Sequence, residues 1–183
     1  MTTPILVITG PSGVGKGTLI KGLLERVPGL QLAVSATTRR PRAGEVNGVD
    51  YHFLSEEDFD RRVAAGEFVE HAEYAGNRYG TLKSELSRPA RAIVLEIDVQ
   101  GARQVREALP DAKLIFIEPP SFEALADRLM QRGSDSPEQI ERRLAAAREE
   151  IAARDEFDHH IVNDDLDRAV GSLADLAATM CPR

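Results

Sequence analysis

The segment from Ile5 to Thr18 constrains the fold of this chain more than any other. It opens with four consecutive aliphatic residues and then breaks into a loop with glycine at 10, 13 and 15, followed by Lys16. An apolar run without alternation is typical of a strand buried on both faces of a parallel sheet. The glycines permit backbone angles that other residues rarely adopt, so several N–H groups can point at one anion. The segment therefore predicts a buried strand, an anion-binding loop and a helix that begins near Lys16.

The loop has the spacing of the P-loop motif, in which four residues separate Gly10 from the pair Gly15-Lys16. The Lys16 ammonium can reach the β- and γ-phosphates of a bound nucleotide, and the helix adds the positive end of its dipole. The next residue is Gly17, and a hydroxyl comes one position later, at Thr18. The alternative is an ordinary strand-turn-helix joint with a solvated lysine. Since the strand, glycines, lysine and helix all agree with the motif, we predict nucleotide binding here.

Composition narrows the kind of protein this is. A chain of 183 residues with 42% hydrophobic content can form one compact core, and it has no apolar run long enough to span a membrane and no secretory signal at its start. The single cysteine, Cys181, fits a reducing compartment. A net charge of −7 argues against a general nucleic-acid binder. We therefore expect a cytoplasmic protein with neither a nucleic-acid nor a membrane partner, in which local arginine clusters bind phosphate.

The order of the elements predicts an α/β protein with three layers around a central parallel sheet. Between Ala43 and Tyr79 the pattern changes to glycines, aromatics and short alternating runs, which predicts a small, mainly antiparallel insert with one helix capped by Ser55. The βα alternation then resumes from Ala92. We expect a second core strand over 30–34 and later strands over 92–98, 113–117 and 159–162. The later helices are expected over 100–109, over 121–131, from Ser136-Pro137 onward, and over 166–180.

A second phosphate site is predicted in the segment from Ser35 to Arg42. A nucleoside monophosphate needs two or three strong donors for its dianion, and Ser35, Arg39 and Arg42 supply them. A solvated basic turn would look similar. Pro41 stiffens the backbone between the two arginines, which favours the functional interpretation.

Two carboxylates are candidates for base or acceptor recognition. Glu70 lies among apolar residues, and a carboxylate is the natural partner for guanine, which offers N1–H and N2–H₂ donors side by side. The alternative for Glu70 is an exposed strand glutamate. Asp98 ends an apolar strand, where ligands of open α/β sheets bind, so it could contact Mg²⁺ through water or hold the acceptor nucleotide. It could also cap the helix that follows.

Arginines near the break at residues 133–135 suggest a mobile helical lid. Arg128 and Arg132 end one helix, and Arg142 and Arg143 lie on the next. Lid closure could bring such arginines onto the phosphates, although a charged helical hairpin is a serious alternative for Arg142. The pair His159-His160 is interpreted as structural, because no further ligand lies at metal-binding spacing.

Taken together, these motifs make the chain resemble the bacterial guanylate kinases over essentially its whole length. The resemblance rests on the following segments in this order: Gly10 to Lys16, Ser35 to Arg42, Gly44 to Tyr51, Gly76 to Gly80, Asp98 to Gly101 and Val162 to Asp165. It implies a core made of residues 1–32, 87–119 and 151–183, a GMP-binding insert at 33–86 and a lid at 120–150. It also implies transfer of the ATP γ-phosphate to GMP with Mg²⁺, within purine nucleotide metabolism.

The resemblance assigns roles residue by residue. Stabilisation of the transferring phosphoryl group would fall to Lys16, Arg39, Arg132 and Arg143. The ATP site would comprise Gly10, Pro11, Ser12, Gly13, Val14, Gly15, Lys16, Gly17, Thr18 and Asn163. The GMP phosphate would be bound by Ser35, Arg39, Arg42, Tyr51 and Tyr79, and guanine would be read by Glu70, Thr81 and Asp98.

Gly17 departs from the family pattern, in which serine is common at this position, so Thr18 or a water is expected to meet Mg²⁺. Two rival functions remain at this point. One is a kinase with another acceptor such as AMP or a phosphorylated sugar, which Glu70 and Thr81 argue against. The other is a protein-binding module resembling the inactive guanylate kinase domains of scaffolding proteins, which the intact phosphate-binding residues argue against. The sequence leaves open whether dGMP is accepted and whether the chain is a monomer or a weak homo-oligomer.

Overall fold

A computed structural model describes residues 3–131 and 136–180 of the chain. Its main feature is a five-stranded sheet in which every adjacent pair of strands is parallel, in the order β2-β7-β1-β8-β9. The strands are β1 (Ile5–Thr9), β2 (Leu30–Leu32), β7 (Ala92–Glu96), β8 (Lys113–Glu118) and β9 (His159–Val162). The predicted central parallel sheet is confirmed, with the P-loop strand β1 at its centre.

Helices cover this sheet on both sides. They are α1 (Lys16–Arg26), α3 (Val99–Ala108), α4 (Phe122–Gln131), α5 (Pro137–Ala152) and α6 (Leu166–Met180). Two of the predicted caps are present. The Asp98 carboxylate accepts a hydrogen bond from the Gly101 backbone N–H at 2.8 Å, and Ser136 forms a reciprocal capping box with Gln139.

The burial of β1 explains its uninterrupted apolar sequence. Leu6 and Ile8 belong to the apolar cluster that includes α1 and α6, whereas Ile5 and Val7 belong to the cluster on the opposite face with α3. Because both faces are covered, neither set of alternating positions can be polar. Each fully buried aliphatic side chain contributes roughly 1.5–3 kcal/mol, so this strand is firmly anchored.

The insert forms a second sheet of four strands in the order β4-β3-β6-β5. These strands are β3 (Ala36–Thr37), β4 (His52–Phe53), β5 (Phe68–Tyr74) and β6 (Asn77–Leu82). Its longest pairing, between β5 and β6, is antiparallel, and β3 pairs parallel with β4, so the sheet is mixed. The hairpin turn is Ala75-Gly76, whose φ angles of 50° and 74° suit the twist of a two-residue hairpin.

The insert has a small apolar core of its own. Its helix α2 (Glu56–Ala64) begins after Ser55, whose side chain accepts from the Asp58 N–H. The helix packs Phe59 against Phe68, with the two rings stacked at 4.5 Å between centroids. The insert is therefore a folded unit joined to the central sheet by two chain segments.

The first of these segments begins earlier than predicted, because β2 ends at Leu32 and not at Val34. The Ala33 N–H still donates to the Val94 carbonyl of the central sheet, but the Val34 N–H donates to the Glu85 carboxylate. The chain has therefore left the central sheet by Val34.

Within residues 3–131 and 136–180, no helix combines the length and the apolar character that a bilayer span requires.

Candidate active site

The P-loop follows β1 and wraps the start of α1. Gly13 and Gly15 have φ angles of 87° and 97°, in the left-handed region that favours glycine. The loop also passes close to β8, since a Cβ at Gly10 would lie 2.5 Å from the Ile117 carbonyl oxygen. The Lys16 ammonium donates to the Gly10 carbonyl at 2.6 Å. The loop thus has the backbone shape that the sequence predicted for holding phosphate.

Residues of this loop line two cavities. The first, of about 300 Å³, lies between the central sheet and the insert. Its lining includes predicted residues from the donor and the acceptor sites: Gly10, Ser12, Lys16, Ser35, Tyr51, Glu70, Tyr79 and Asp98. The second, of about 510 Å³, is lined by other residues of the loop, by the start of α1, by α4 and by the chain after β9: Gly13, Val14, Gly15, Thr18, Arg128, Gln131, Asn163, Asp164 and Leu166. The predicted ATP residues are therefore divided between two cavities, while the predicted GMP residues are concentrated in one.

Glu70 is a buried carboxylate in the wall of the first cavity. Its residue is only 4% exposed, which removes the alternative of an exposed strand glutamate. Thr81, on the neighbouring strand β6, donates its hydroxyl to Glu70 Oε1 at 2.7 Å. Gly101 closes the other side, where an added Cβ would lie 2.6 Å from Glu70 Oε2. The carboxylate is thus held in one orientation by both elements.

The environment of Glu70 changes its ionisation. Burial raises its pKa to about 7; the hydrogen bonds with Thr81 act in the opposite direction, and the nearby charge of Asp98 adds to the rise. A ligand that brings hydrogen-bond donors to the Glu70 carboxylate would stabilise its charged form. The pKa of Glu70 would then fall again. The site therefore favours a ligand that offers hydrogen-bond donors to a carboxylate.

Arg39 is held at the edge of the first cavity by two kinds of contact. Its guanidinium binds both oxygens of Glu45, at 2.8 and 3.0 Å, and this hydrogen bonding raises the pKa of Arg39 above its ordinary value. It also lies 5.2 Å from the centroid of the Tyr51 ring. Tyr51 and Tyr79 are neighbours, with ring centroids 6.2 Å apart. Arg42 is exposed, and its backbone N–H donates to the same Glu45 carboxylate. The structure therefore brings Arg39, Tyr51 and Tyr79 together, whereas Arg42 is joined to them only through the contact of its backbone with Glu45.

Three further carboxylates line the first cavity and were not among the predicted site residues: Asp50, Glu96 and Glu150. Glu96 is the last residue of β7, and Glu150 on α5 accepts from the Ser12 N–H of the P-loop at 3.4 Å. Burial raises the pKa of both side chains, while the charge of Lys16 acts in the opposite direction. Glu96 could have been found by the strand-end rule that drew attention to Asp98. Glu150 has no such signal, because its approach to the loop depends on how α5 packs.

The arginines of the expected lid have different positions. Arg132 lies outside the described residues. Arg143 is half-buried and Arg142 is exposed on α5. Arg128 instead contacts the P-loop, donating to the Val14 carbonyl at 3.3 Å and to the Asn163 carbonyl at 2.9 Å. The buried Asn163 amide also donates to the Val14 carbonyl, at 2.7 Å. Arg128 and Asn163 therefore support the loop beside the second cavity.

The described residues include no group of three or more His, Cys, Asp or Glu side chains placed to hold a metal ion. Thr18 is exposed beside the second cavity, and a Cβ at Gly17 would have no atom within 4 Å. His160 Nδ1 lies 2.9 Å from Glu118 Oε1, in agreement with a structural role for this histidine. Any divalent cation in the first cavity would thus have to draw most of its ligands from a substrate and from water.

Comparisons with known proteins agree with this geometry. The family profile described as guanylate kinase matches residues 2–179. The chain is 56% identical to the guanylate kinase of Gloeobacter violaceus over 172 residues, which are 92% of this chain and 84% of that protein. It is 53% identical to the guanylate kinase of Nostoc sp., over 92% of this chain and 86% of that protein. The crystal structure of guanylate kinase from Anaplasma phagocytophilum superposes with a TM-score of 0.80 at 33% identity, covering all of this chain and 88% of that one.

Proposed function

Because this chain belongs to the guanylate kinase family, we propose that its first cavity is where it performs the reaction ATP + GMP = ADP + GDP. The protein is a kinase that phosphorylates GMP with ATP as the phosphate donor. The observation that carries the assignment of the site is that the P-loop and the buried Glu70 face one cavity. A phosphoryl donor and a guanine acceptor can therefore meet there.

The ATP half of the site is the P-loop. Its backbone N–H groups and the N-terminus of α1 would hold the β- and γ-phosphates, with Lys16 beside them. The rest of the nucleotide would extend towards the second cavity, past Val14 and Asn163. The contacts of Arg128 and Asn163 with the Val14 carbonyl support this arrangement, because they hold the loop between the two cavities in one shape.

The GMP half is the insert. Glu70 would accept from N1–H and N2–H₂ of guanine, and Thr81 would orient that carboxylate, with Asp98 nearby. The phosphate of GMP would lie near Ser35, Tyr51 and Tyr79, where Arg39 and Arg42 supply positive charge. AMP would present an unprotonated N1 to the same carboxylate, and this repulsion is the physical basis for guanine selection.

Phosphoryl transfer then depends on positioning and on charge stabilisation. Lys16 and Arg39 act from the two sides of the cavity, and Arg132 and Arg143 would complete the site from the lid at 120–150. In this scheme residues 1–32, 87–119 and 151–183 form the core, and residues 33–86 form the GMP-binding insert. We propose that the protein acts as a monomer or a weak homo-oligomer in the cytoplasm, where both nucleotides are found.

Magnesium is expected to enter with ATP. Mg²⁺ prefers oxygen ligands and commonly keeps several waters beside one or two protein groups. Glu96 and Asp98 fit that pattern because they bring carboxylates to the first cavity, whereas Thr18 lines the second cavity and its hydroxyl would reach the ion through water. When bound, the ion would neutralise charge on the phosphates.

A coupled assay of ADP release tests this proposal. The protein is supplied with ATP and Mg²⁺, and with GMP, AMP, dGMP or no acceptor. We expect rapid ADP release that depends on GMP, with little release with AMP. Equal rates with AMP and GMP would contradict the role of Glu70 in guanine selection. ADP release that did not depend on GMP would contradict the proposed reaction.

A further inference from the structure

Two chain segments connect the insert to the central sheet, and they lie side by side. The first, residues 33–35, joins β2 to β3, and the second, residues 83–91, joins β6 to β7. The proposed GMP residues lie mainly on the insert and the P-loop lies on the core. The position of one substrate relative to the other therefore depends on the conformation of these two segments.

The Glu85 carboxylate joins the two segments. It lies in the second segment, is 7% exposed, and its Oε2 accepts from the Val34 N–H of the first segment at 2.9 Å. Arg88 donates to the same oxygen at 2.9 Å and to the Leu32 carbonyl at 3.4 Å. His52 Nε2, from β4 of the insert, lies 2.9 Å from Glu85 Oε1. One buried side chain thus contacts the first segment and the insert, and Arg88, which it binds, contacts the end of β2.

The backbone around Val34 shows why this contact is placed at the change from core to insert. The Ala33 N–H donates to Val94 of the central sheet, whereas the Ser35 carbonyl accepts from the His52 N–H of the insert. Val34 lies between them and donates to Glu85. Three successive residues, Ala33, Val34 and Ser35, therefore form hydrogen bonds with the central sheet, with Glu85 and with the insert, in that order.

The chemistry of the contact indicates a stable, ionised carboxylate. Burial raises the pKa of Glu85, but the hydrogen bonds from Val34, His52 and Arg88 together outweigh that effect and keep the pKa below its ordinary value. Without this side chain the Val34 N–H would lose its acceptor in a half-buried connection. The insert would then have greater freedom to turn about both segments.

The contacts of Glu85 lead directly to the first cavity. Ser35 and Tyr51, which line that cavity, are the immediate neighbours of Val34 and His52. Movement of either hydrogen-bonded residue would displace the side chain next to it. Because a misplacement of about 1 Å can reduce catalysis by as much as 10²-fold, the contact bears on the reaction as well as on stability.

We propose that Glu85 is a positioning residue that fixes the GMP-binding insert relative to the P-loop by joining the two connecting segments. This inference rests on the proposed function, since it concerns the placement of GMP. Glu85 does not line the cavity. Its effect passes through Val34, His52 and the orientation of the insert.

The test compares Glu85→Ala and Glu85→Gln with wild type in steady-state kinetics. We expect Glu85→Ala to raise the KM for GMP about tenfold, the scale of one lost hydrogen bond to a charged group, and to leave the KM for ATP within about twofold. Glu85→Gln should restore most of the loss, because its amide oxygen can accept from Val34 and its NH₂ can donate to a neutral His52. The control is Glu73→Ala, an exposed glutamate on β5 of the same insert, which should resemble wild type.

Two results would overturn the inference. One is a folded Glu85→Ala protein with wild-type KM for GMP and wild-type kcat. The other is an equal rise in both KM values without rescue by Glu85→Gln, which would indicate a general loss of structure. If Glu85→Ala does not fold, Arg88→Ala is tested in its place. It removes one of the three hydrogen-bond partners of Glu85 and should raise the KM for GMP alone, and an unchanged KM for GMP would overturn the inference. Failure of the proposed function is distinguishable, since it would appear as absent GMP phosphorylation in the wild type.

Discussion

Thr81 donates its hydroxyl to Glu70 Oε1 at 2.7 Å across the β5–β6 pair, in the wall of the cavity that the P-loop also lines. The hydrogen bond orients a buried carboxylate whose pKa lies near 7, so its charge changes in the physiological range. Guanine binds the ionised form best, because both carboxylate oxygens can then accept from its two N–H donors. Recognition of the base and protonation of Glu70 are therefore linked.

This linkage predicts a pH dependence for GMP. Below pH 7 the proton on Glu70 must be released before guanine can bind, so the KM for GMP should fall as the pH rises from 6 to 7 and become constant above about 8. The limiting slope is about tenfold per pH unit. Initial-rate measurements with saturating ATP provide the check. The Glu70→Gln variant is the control, and any slope that it retains belongs to the phosphate of GMP. The same slope in both proteins would contradict the linkage.

Replacement of Glu70 should also show that its buried carboxylate lowers the stability of the wild-type protein at pH 8. The pKa of Glu70 is raised from its ordinary 4.5 to about 7 in the folded protein, so the folded state binds more protons between these values. Folding stability should therefore decrease as the pH rises from about 4.5 to 7, by on the order of 2–3 kcal/mol. Glu70→Gln removes this cost and should be more stable than wild type at pH 8, but similar to it near pH 4.

Urea unfolding at both pH values measures this difference. The same variant should lose roughly 1–3 kcal/mol of GMP binding, the scale of a hydrogen bond to a charged group. A Glu70→Gln protein that is less stable than wild type at pH 8 would show that burial does not destabilise the carboxylate. Unchanged GMP kinetics would remove the reason for assigning guanine to this site.

Arg39→Lys should impair GMP use although the positive charge is kept. The forked contact of Arg39 with both oxygens of Glu45 holds its guanidinium beside Tyr51, and a lysine ammonium cannot reproduce this geometry. We expect the KM for GMP to rise by at least about tenfold, with little change for ATP. Arg40→Lys is the matched control, since Arg40 is the exposed neighbour. Equal effects at both positions would indicate that only net charge matters.

Gly17 offers a direct test of how magnesium is held. A Cβ at this position would have no atom within 4 Å, so both Gly17→Ala and Gly17→Ser should fold. Near the start of α1, either change should stabilise the helix, by up to roughly 0.5–1 kcal/mol. Gly17→Ser alone adds a hydroxyl next to Lys16 and should lower the Mg²⁺ concentration needed for half-maximal rate. If Gly17→Ala lowers it equally, the effect comes from the backbone and not from a new ligand.

Local rules explain most of the correct predictions about the fold. The Ser55 cap and the helix start at Ser136-Pro137 depend on residues only a few positions apart. The unalternated run of β1 reports burial on both faces, which is a property of the strand itself. The strand expected to reach Val34 ended at Leu32 because Val34 donates to Glu85, 51 positions along the chain. No local pattern could have shown that contact.

For the site, sequence reasoning identified residue types more readily than their surroundings. Glu70 was proposed for guanine with an exposed strand glutamate as the alternative, because glutamates are mostly exposed, and only the packing of Gly101 and Thr81 shows that it is buried. Glu150 was not predicted because it lies 138 positions from Ser12 in the sequence, and only the packing of α5 brings it to the Ser12 N–H. The roles of the individual residues, Arg132 among them, stay predictions.

The sequence by itself determined that this chain has a P-loop on a parallel sheet and an insert rich in turns and aromatics, because glycine spacing, capping residues and apolar periodicity act over a few positions. Tertiary structure alone decided which charged groups share the cavity between the P-loop and the insert. Burial and long-range hydrogen bonds set the pKa of Glu70, placed Glu150 at the loop and joined Glu85 to Val34. Such interactions arise only when distant segments pack, since desolvation depends on everything that surrounds a group and not on its neighbours in the chain.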